Sequence, residues 1–182
     1  GPQVEGFVVR EMSCIASNWR AREKLEEFLA RHGIMGLTGI DTRALTRHTR
    51  LQGAMKGVIC TIDLDEESLV AKARASPGLV GRDLVQYVTC EESYNWEERT
   101  KDLWRPWGSK PGDRARYFVV AYDYGIKFNI LRRLTDAGCR VTVVPARTPA
   151  EEVLAMEPDG IFLSNGPGDP EPVHYAIENT RK

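Results

Sequence analysis

From residue 117 onward, apolar runs and glycine- or proline-marked breaks alternate regularly. Residues 117–122 (YFVVAY) read as a buried strand. Gly125 turns the chain. Residues 129–137 predict a helix with Ile130, Leu131 and Leu134 on one face, stopped by Gly138. Residues 140–144 predict a second strand closed by Pro145, and Pro149 opens a helix to about Met156. Residues 159–164 predict a third strand, followed by a loop at 165–172 and a helix from about Val173. The order β-α-β-α-β-loop-α predicts the first half of an open parallel sheet with helices on both faces. Such sheets usually hold about five strands, so three imply an incomplete domain with an unpaired apolar edge.

The preceding stretch follows a different pattern. Residues 6–10 predict a short strand. Asn18 can cap a helix reaching His32, with Leu25, Phe28, Leu29 and His32 at helical spacing and Gly33 as its stop. Residues 34–40 are too rich in glycine for a helix. Asp41 caps a helix through about Leu51, ended by Gly53. Residues 55–62 predict a strand, and residues 65–75 a helix stopped by Ser76-Pro77-Gly78. This is a mixed α+β domain over residues 1–91. Residues 92–116 are polar and contain Pro106 and Pro111, which marks a connection before a second domain at 117–182. The connection holds Trp96, Trp104 and Trp107. That much aromatic surface predicts an ordered strap lying against one or both domains.

Composition narrows the function classes. With 182 residues the chain fits one large domain or two small ones. It is 42% hydrophobic and 28% charged, and its net charge of −1 gives no global attraction to nucleic acid or to anionic membrane. No apolar run reaches the length of a transmembrane helix, and the first residues lack a signal-peptide pattern. Cys14, Cys60, Cys90 and Cys139 form no C-x-x-C pair and have no histidine at metal-ligand spacing. They are expected to be buried free thiols in a reducing cytosol, with no metal site.

The chemistry concentrates at Ser164-Asn165-Gly166-Pro167-Gly168-Asp169-Pro170, directly after the third strand. Two glycines let backbone N–H groups approach a ligand, and two prolines stiffen the loop. A rigid turn with exposed amides suits an oxyanion hole. A tight turn without chemistry fits the same residues. The G-x-G-x-x-G spacing of a dinucleotide site is absent, and so is G-x-x-x-x-G-K-[ST]. Ligands of such sheets bind at the carboxyl ends of the strands. There the loops 123–125, 145–147 and 164–170 would meet.

Residues 159–170 (DGIFLSNGPGDP) closely resemble the glycine loop of class I glutamine amidotransferases. Residues 37–47 (LTGIDTRALTR), 81–85 (GRDLV) and 123–132 (DYGIKFNILR) resemble segments of the small, glutamine-hydrolysing subunit of carbamoyl-phosphate synthetase, in that family's order. The resemblance implies an α/β chain: the family's α+β amino-terminal domain, incomplete at its start, then the first half of a flavodoxin-like amidotransferase domain. It implies Gly166 as an oxyanion donor and Gly166 and Gly168 as glutamine contacts. Catalysis in the family uses a Cys-His-Glu triad in which the thiolate attacks the side-chain amide and ammonia leaves. Ammonia then passes to a large subunit, which uses ATP, Mg and bicarbonate to make carbamoyl phosphate for arginine and pyrimidine synthesis in the cytoplasm. No cofactor is expected in this chain. The family's G-x-C-x-G-x-Q-like nucleophile turn does not occur in the 182 residues, and His32, His48 and His174 do not match its histidine. No catalytic triad residue is therefore assigned, and the chain alone is expected to be an inactive fragment.

Three other readings stand beside this one. They are another class I amidotransferase, a non-catalytic glutamine-binding or subunit-assembly module, and a phosphate- or nucleotide-binding domain. Arg43, Arg47 and Arg50 share a helical face that reads as solvated, with an interdomain or intersubunit contact as the alternative, and no catalytic role is assigned to it. Asp123 fits turn closure, and Lys127 a surface position.

Overall fold

The computed structural model describes residues 2, 4–101 and 115–182. Trp104 and Trp107 of the predicted strap lie outside them. The chain divides into two compact units, Gly1–Gly78 and Leu79–Lys182.

In the first unit β1 (Gly6–Val8) pairs in parallel with β2 (Met35–Leu37), with α1 (Leu25–Arg31) between them in the chain. The helix starts later than Asn18. That side chain instead accepts the Arg20 N–H at 2.9 Å and closes a turn. The helix is capped by Glu27, whose carboxylate accepts the Lys24 N–H at 3.0 Å. Asp41 caps α2 (Thr42–Gln52) by accepting the Ala44 N–H, and Gly53 at φ 84 ends it. Asp65 caps α3 (Glu66–Ala75) through the Ser68 N–H. The strand expected at 55–62 does not form: the segment finds no ladder partner among the described residues. Leu29 is the only buried hydrophobic residue described in this unit, and Trp19, Leu51, Ile62 and Leu64 are exposed.

The second unit follows the predicted order closely. Its sheet contains β3 (Tyr94–Trp96), β4 (Tyr117–Asp123), β5 (Cys139–Pro145) and β6 (Gly160–Leu163), arranged β3-β5-β4-β6. The three later strands are parallel. Strand β3 runs antiparallel to β5, pairing Tyr94 with Val143 and Trp96 with Val141. Helices α4 (Phe128–Asp136), α5 (Ala150–Ala155) and α6 (His174–Arg181) complete the unit.

Strand alternation sorts two cores. Val120, Tyr122 and Tyr124 pack with Val144, Val153 and Val173 on the face of α5 and α6. Ala121 packs with Leu131, Val141 and Val143 on the face of α4. Val120, Leu131, Val141, Val143, Val144 and Val153 are fully enclosed, and each such side chain contributes about 1.5–3 kcal/mol of burial free energy. The β5 edge is covered by β3. Residues 79–96 thus pack with the second unit, whereas the sequence groups most of them with the first. Beyond β3 the chain continues across α4: Trp96 lies 5.2 Å from Phe128, and Arg132 pairs with Glu98 at 2.8 Å. This part of the strap is ordered against the second unit.

Candidate functional site

Connections from β4 lead first to β5 on one side and then to β6 on the other. The chain therefore reverses its direction of travel across the sheet between β4 and β6, where open α/β sheets form their ligand crevice. Two loops leave this point, 123–126 from β4 and 164–170 from β6.

Asp123, buried at the end of β4, organises the first loop. Its Oδ1 accepts the N–H groups of Gly125 at 3.0 Å and Ile126 at 2.8 Å. Its Oδ2 accepts the Cys90 N–H at 2.9 Å. Turn closure is its structural role here. Lys127, at the N-cap of α4, is exposed.

Ser164 joins the two loops. Its buried hydroxyl accepts the Tyr124 N–H at 2.9 Å and donates to the Asn165 carbonyl at 3.0 Å. Gly166 then passes so close to the first loop that a β-carbon there would stand 2.9 Å from the Tyr124 carbonyl oxygen. Gly168 has φ 72, and a β-carbon on it would meet Leu84 Cδ1 at 3.0 Å. Asp169 accepts the Glu171 N–H at 3.0 Å and the Gly81 N–H at 3.1 Å, and these bonds hold its carboxyl below its ordinary range. Among the described residues, the N–H groups of Gly166 and Gly168 have no protein acceptor. The loop is thus built to expose two backbone donors.

A cavity of about 540 Å³ adjoins the loop, lined by Tyr124, Ser164, Gly166, Gly168 and the α6 residues Ala176 and Ile177. Its size suits a small ligand. Burial pushes the Tyr124 hydroxyl up to about 12, so it stays a protonated donor.

No cysteine completes a nucleophile here. Cys139 opens β5 at the opposite end of the strands. Cys14 and Cys60 belong to the first unit, and Cys14 is exposed rather than buried. Cys90 belongs to the second unit, contrary to the sequence reading, and sits beside Asp123 at the ligand edge. Burial and the neighbouring Asp123 charge push its thiol up to about 11, which leaves it unreactive. His174 opens α6 and is exposed. Among the described residues no cluster of His, Cys, Asp or Glu could hold a metal ion, and no helix is long and apolar enough to cross a membrane.

Residues 1–59 match the family model for the carbamoyl-phosphate synthase small chain, CPSase domain, and residues 120–182 match that for glutamine amidotransferase class-I. The carbamoyl phosphate synthase small chain of Syntrophotalea carbinolica is 57% identical over 181 residues, covering 100% of this chain and 48% of that protein. The chain belongs to the carbamoyl-phosphate synthase small-chain family. Proteins of the same name from Thioalkalivibrio sulfidiphilus and Pseudomonas aeruginosa are each 50% identical, over 100% and 97% of this chain and 48% and 47% of their own lengths. The chain spans about half the length of the curated relatives it matches. The glycine loop falls inside the amidotransferase match, and α2 inside the small-chain match.

Sequence reasoning found the loop but missed its support. Gly81, Leu84 and Val85 all touch it. Their segment was visible in the sequence only as a likeness to the family, with no role attached. Arg43, Arg47 and Arg50 lie exposed along α2 in the first unit.

Proposed function

We propose that this chain is the glutamine-binding half of an amidotransferase subunit, one that releases ammonia from glutamine for a large synthetase subunit. The observation that carries this reading is the pair of amides at Gly166 and Gly168, which have no protein acceptor among the described residues and lie at the chain reversal between β4 and β6. Gly166 N–H would stabilise the negative charge that forms on the amide oxygen when a thiolate attacks it. Gly168 N–H would hold the substrate. The nucleophile would come from a segment outside these 182 residues, since Cys90 is protonated and Cys139 is remote. ATP and Mg would be bound by the large subunit, which would make carbamoyl phosphate for arginine and pyrimidine synthesis. The compartment would be the cytoplasm.

A chimera that continues Lys182 into the corresponding remainder of the Syntrophotalea carbinolica relative tests the reading. Glutamine-dependent ammonia release by the chimera, with none from the 182-residue chain alone, is the expected result. A folded chimera that binds glutamine without releasing ammonia would support the non-catalytic binding module instead.

A further inference from the structure

We propose that Asp83 is a positioning residue for the glycine loop. It sits at the centre of a clasp, residues 81–85, that sets the aim of the Gly166 and Gly168 amides. The inference rests on the amidotransferase reading for its purpose, but its geometry is independent of it.

The clasp touches the loop at three successive points. Gly81 donates its N–H to Asp169 Oδ2 at 3.1 Å. Leu84 Cδ1 lies 3.0 Å from the β-carbon position of Gly168. Val85, which is 3% exposed, places Cγ2 at 3.2 Å from that of Gly166. Among the nearest neighbours of the two β-carbon positions, Leu84 and Val85 come from this one segment. The clasp has no regular structure before it enters the 3-10 turn Val85–Tyr87, so its shape must be fixed by side chains.

Asp83 supplies that fixation. Its Oδ1 accepts the Val85 N–H at 3.0 Å and the Gln86 N–H at 3.4 Å, which sets the turn carrying Val85. The Tyr175 hydroxyl of α6 donates to Oδ2 at 3.2 Å. Arg147, from the loop after β5, approaches Oδ2 at 3.6 Å and lies over the Tyr175 ring at 4.3 Å. One carboxylate therefore ties the clasp to the elements on both sides of the crevice. The prolines stiffen the loop but do not set where its two amides point, and misplacement by about 1 Å costs on the order of a hundredfold in rate.

The test is ¹⁵N relaxation on the 182-residue chain. In the parent, Gly166 and Gly168 should show order parameters near those of rigid backbone, about 0.85. In Asp83→Ala both should fall below about 0.6, while Val120 and Val143 stay rigid. Asp83→Asn retains an acceptor for the turn and should recover most of the order. If Asp83→Ala fails to fold, Tyr175→Phe removes one hydroxyl from the same carboxylate and should lower the two glycine values without affecting the sheet. Unchanged order at Gly166 and Gly168 in the folded variants would overturn the proposal. Glutamine takes no part in the measurement, so an inactive chimera would count against the amidotransferase reading and leave the clasp standing.

Discussion

The carbonyl oxygen of Tyr124 stands 2.9 Å from the point that a β-carbon on Gly166 would occupy. Two loops from different strands thus meet backbone to backbone, and only glycine fits the contact. The carbonyl belongs to a fixed turn, so it cannot yield as a side chain would. Gly166→Ala is expected to destabilise the second unit by about 1–3 kcal/mol, the ordinary cost of overpacking. Urea unfolding of the variant against the parent reads the change. A stability equal to the parent's would mean that the two loops are free to separate.

Gly168→Ala should behave differently, because its close neighbour is a side chain. Leu84 Cδ1, at 3.0 Å, can rotate away, but the backbone at φ 72 remains costly for alanine. That conformation alone costs about 1–2 kcal/mol. A double-mutant cycle separates the two terms. Gly168→Ala should cost less in a Leu84→Ala background than in the parent, with the residual equal to the backbone strain. Additive effects would show that Leu84 does not press on the loop.

Tyr124 carries a buried hydroxyl with no hydrogen-bond partner among the described residues. An unsatisfied buried group of this kind costs about 1–3 kcal/mol. Tyr124→Phe keeps the ring, which stacks on Tyr122 at 5.8 Å. The variant should be more stable than the parent by about 1 kcal/mol. The pH dependence has a definite sign. A phenol raised from 10.0 to about 12 by burial favours the protonated form in the fold. The fold keeps its stability below about pH 10, where the phenol is protonated in both states, and loses it as pH rises toward about 12. Alkaline unfolding should therefore begin later in Tyr124→Phe. A destabilised variant would reveal a partner for the hydroxyl.

Reagent access to the thiols should follow charge and burial. Cys90 is pushed up to about 11, so at pH 8 only about one thiol in a thousand is ionised. Cys60 is lowered by the N–H groups of Asp63, at 3.3 Å, and Ile62. Iodoacetamide at pH 8 followed by peptide mapping should find Cys60 alkylated well before Cys90, with the difference abolished in urea. Equal rates in the native chain would contradict the Asp123 contact that holds Cys90.

The second unit was legible because its signals are local. Buried strands are continuous apolar runs, and Gly138, Pro145 and Pro149 punctuate them at the ends of β5 and its flanking helices. The glycine loop was legible for the same reason. Its clasp was not, because Gly81 and Asp169 are 88 residues apart and no local pattern encodes their bond. Strand β3 was hidden similarly: Tyr94-Asn95-Trp96 looks like part of a polar connection until β5 supplies its ladder partner. The reverse error occurred at residues 55–62, where a loose apolar alternation suggested a strand but no ladder partner is at hand. The helix expected from Asn18 began late because Asn18 is satisfied by its own turn, while Glu27 offers a better cap at Lys24.

Acid should act first on the first unit. Asp63 accepts hydrogen bonds from Lys72, from the Ser68 hydroxyl at 2.6 Å and from the Asp65 N–H at 3.1 Å. Together they hold its carboxyl at about 2, with Lys72 as the largest cause. A depressed carboxyl stabilises the fold at pH values above its unfolded value of 3.8 and ceases to do so as pH falls through about 2. The group joins the entry of α3 to its body, and this unit has little core to compensate. Helical circular dichroism should therefore fall between about pH 4 and pH 2 in the parent. In Asp63→Asn that pH-dependent component should shrink, and the helix should be weaker at neutral pH. Because the pair is exposed, 1 M salt should weaken the Lys72 contribution. An acid profile of Asp63→Asn that matches the parent's, in both low and high salt, would show that α3 is held by packing and not by this carboxylate.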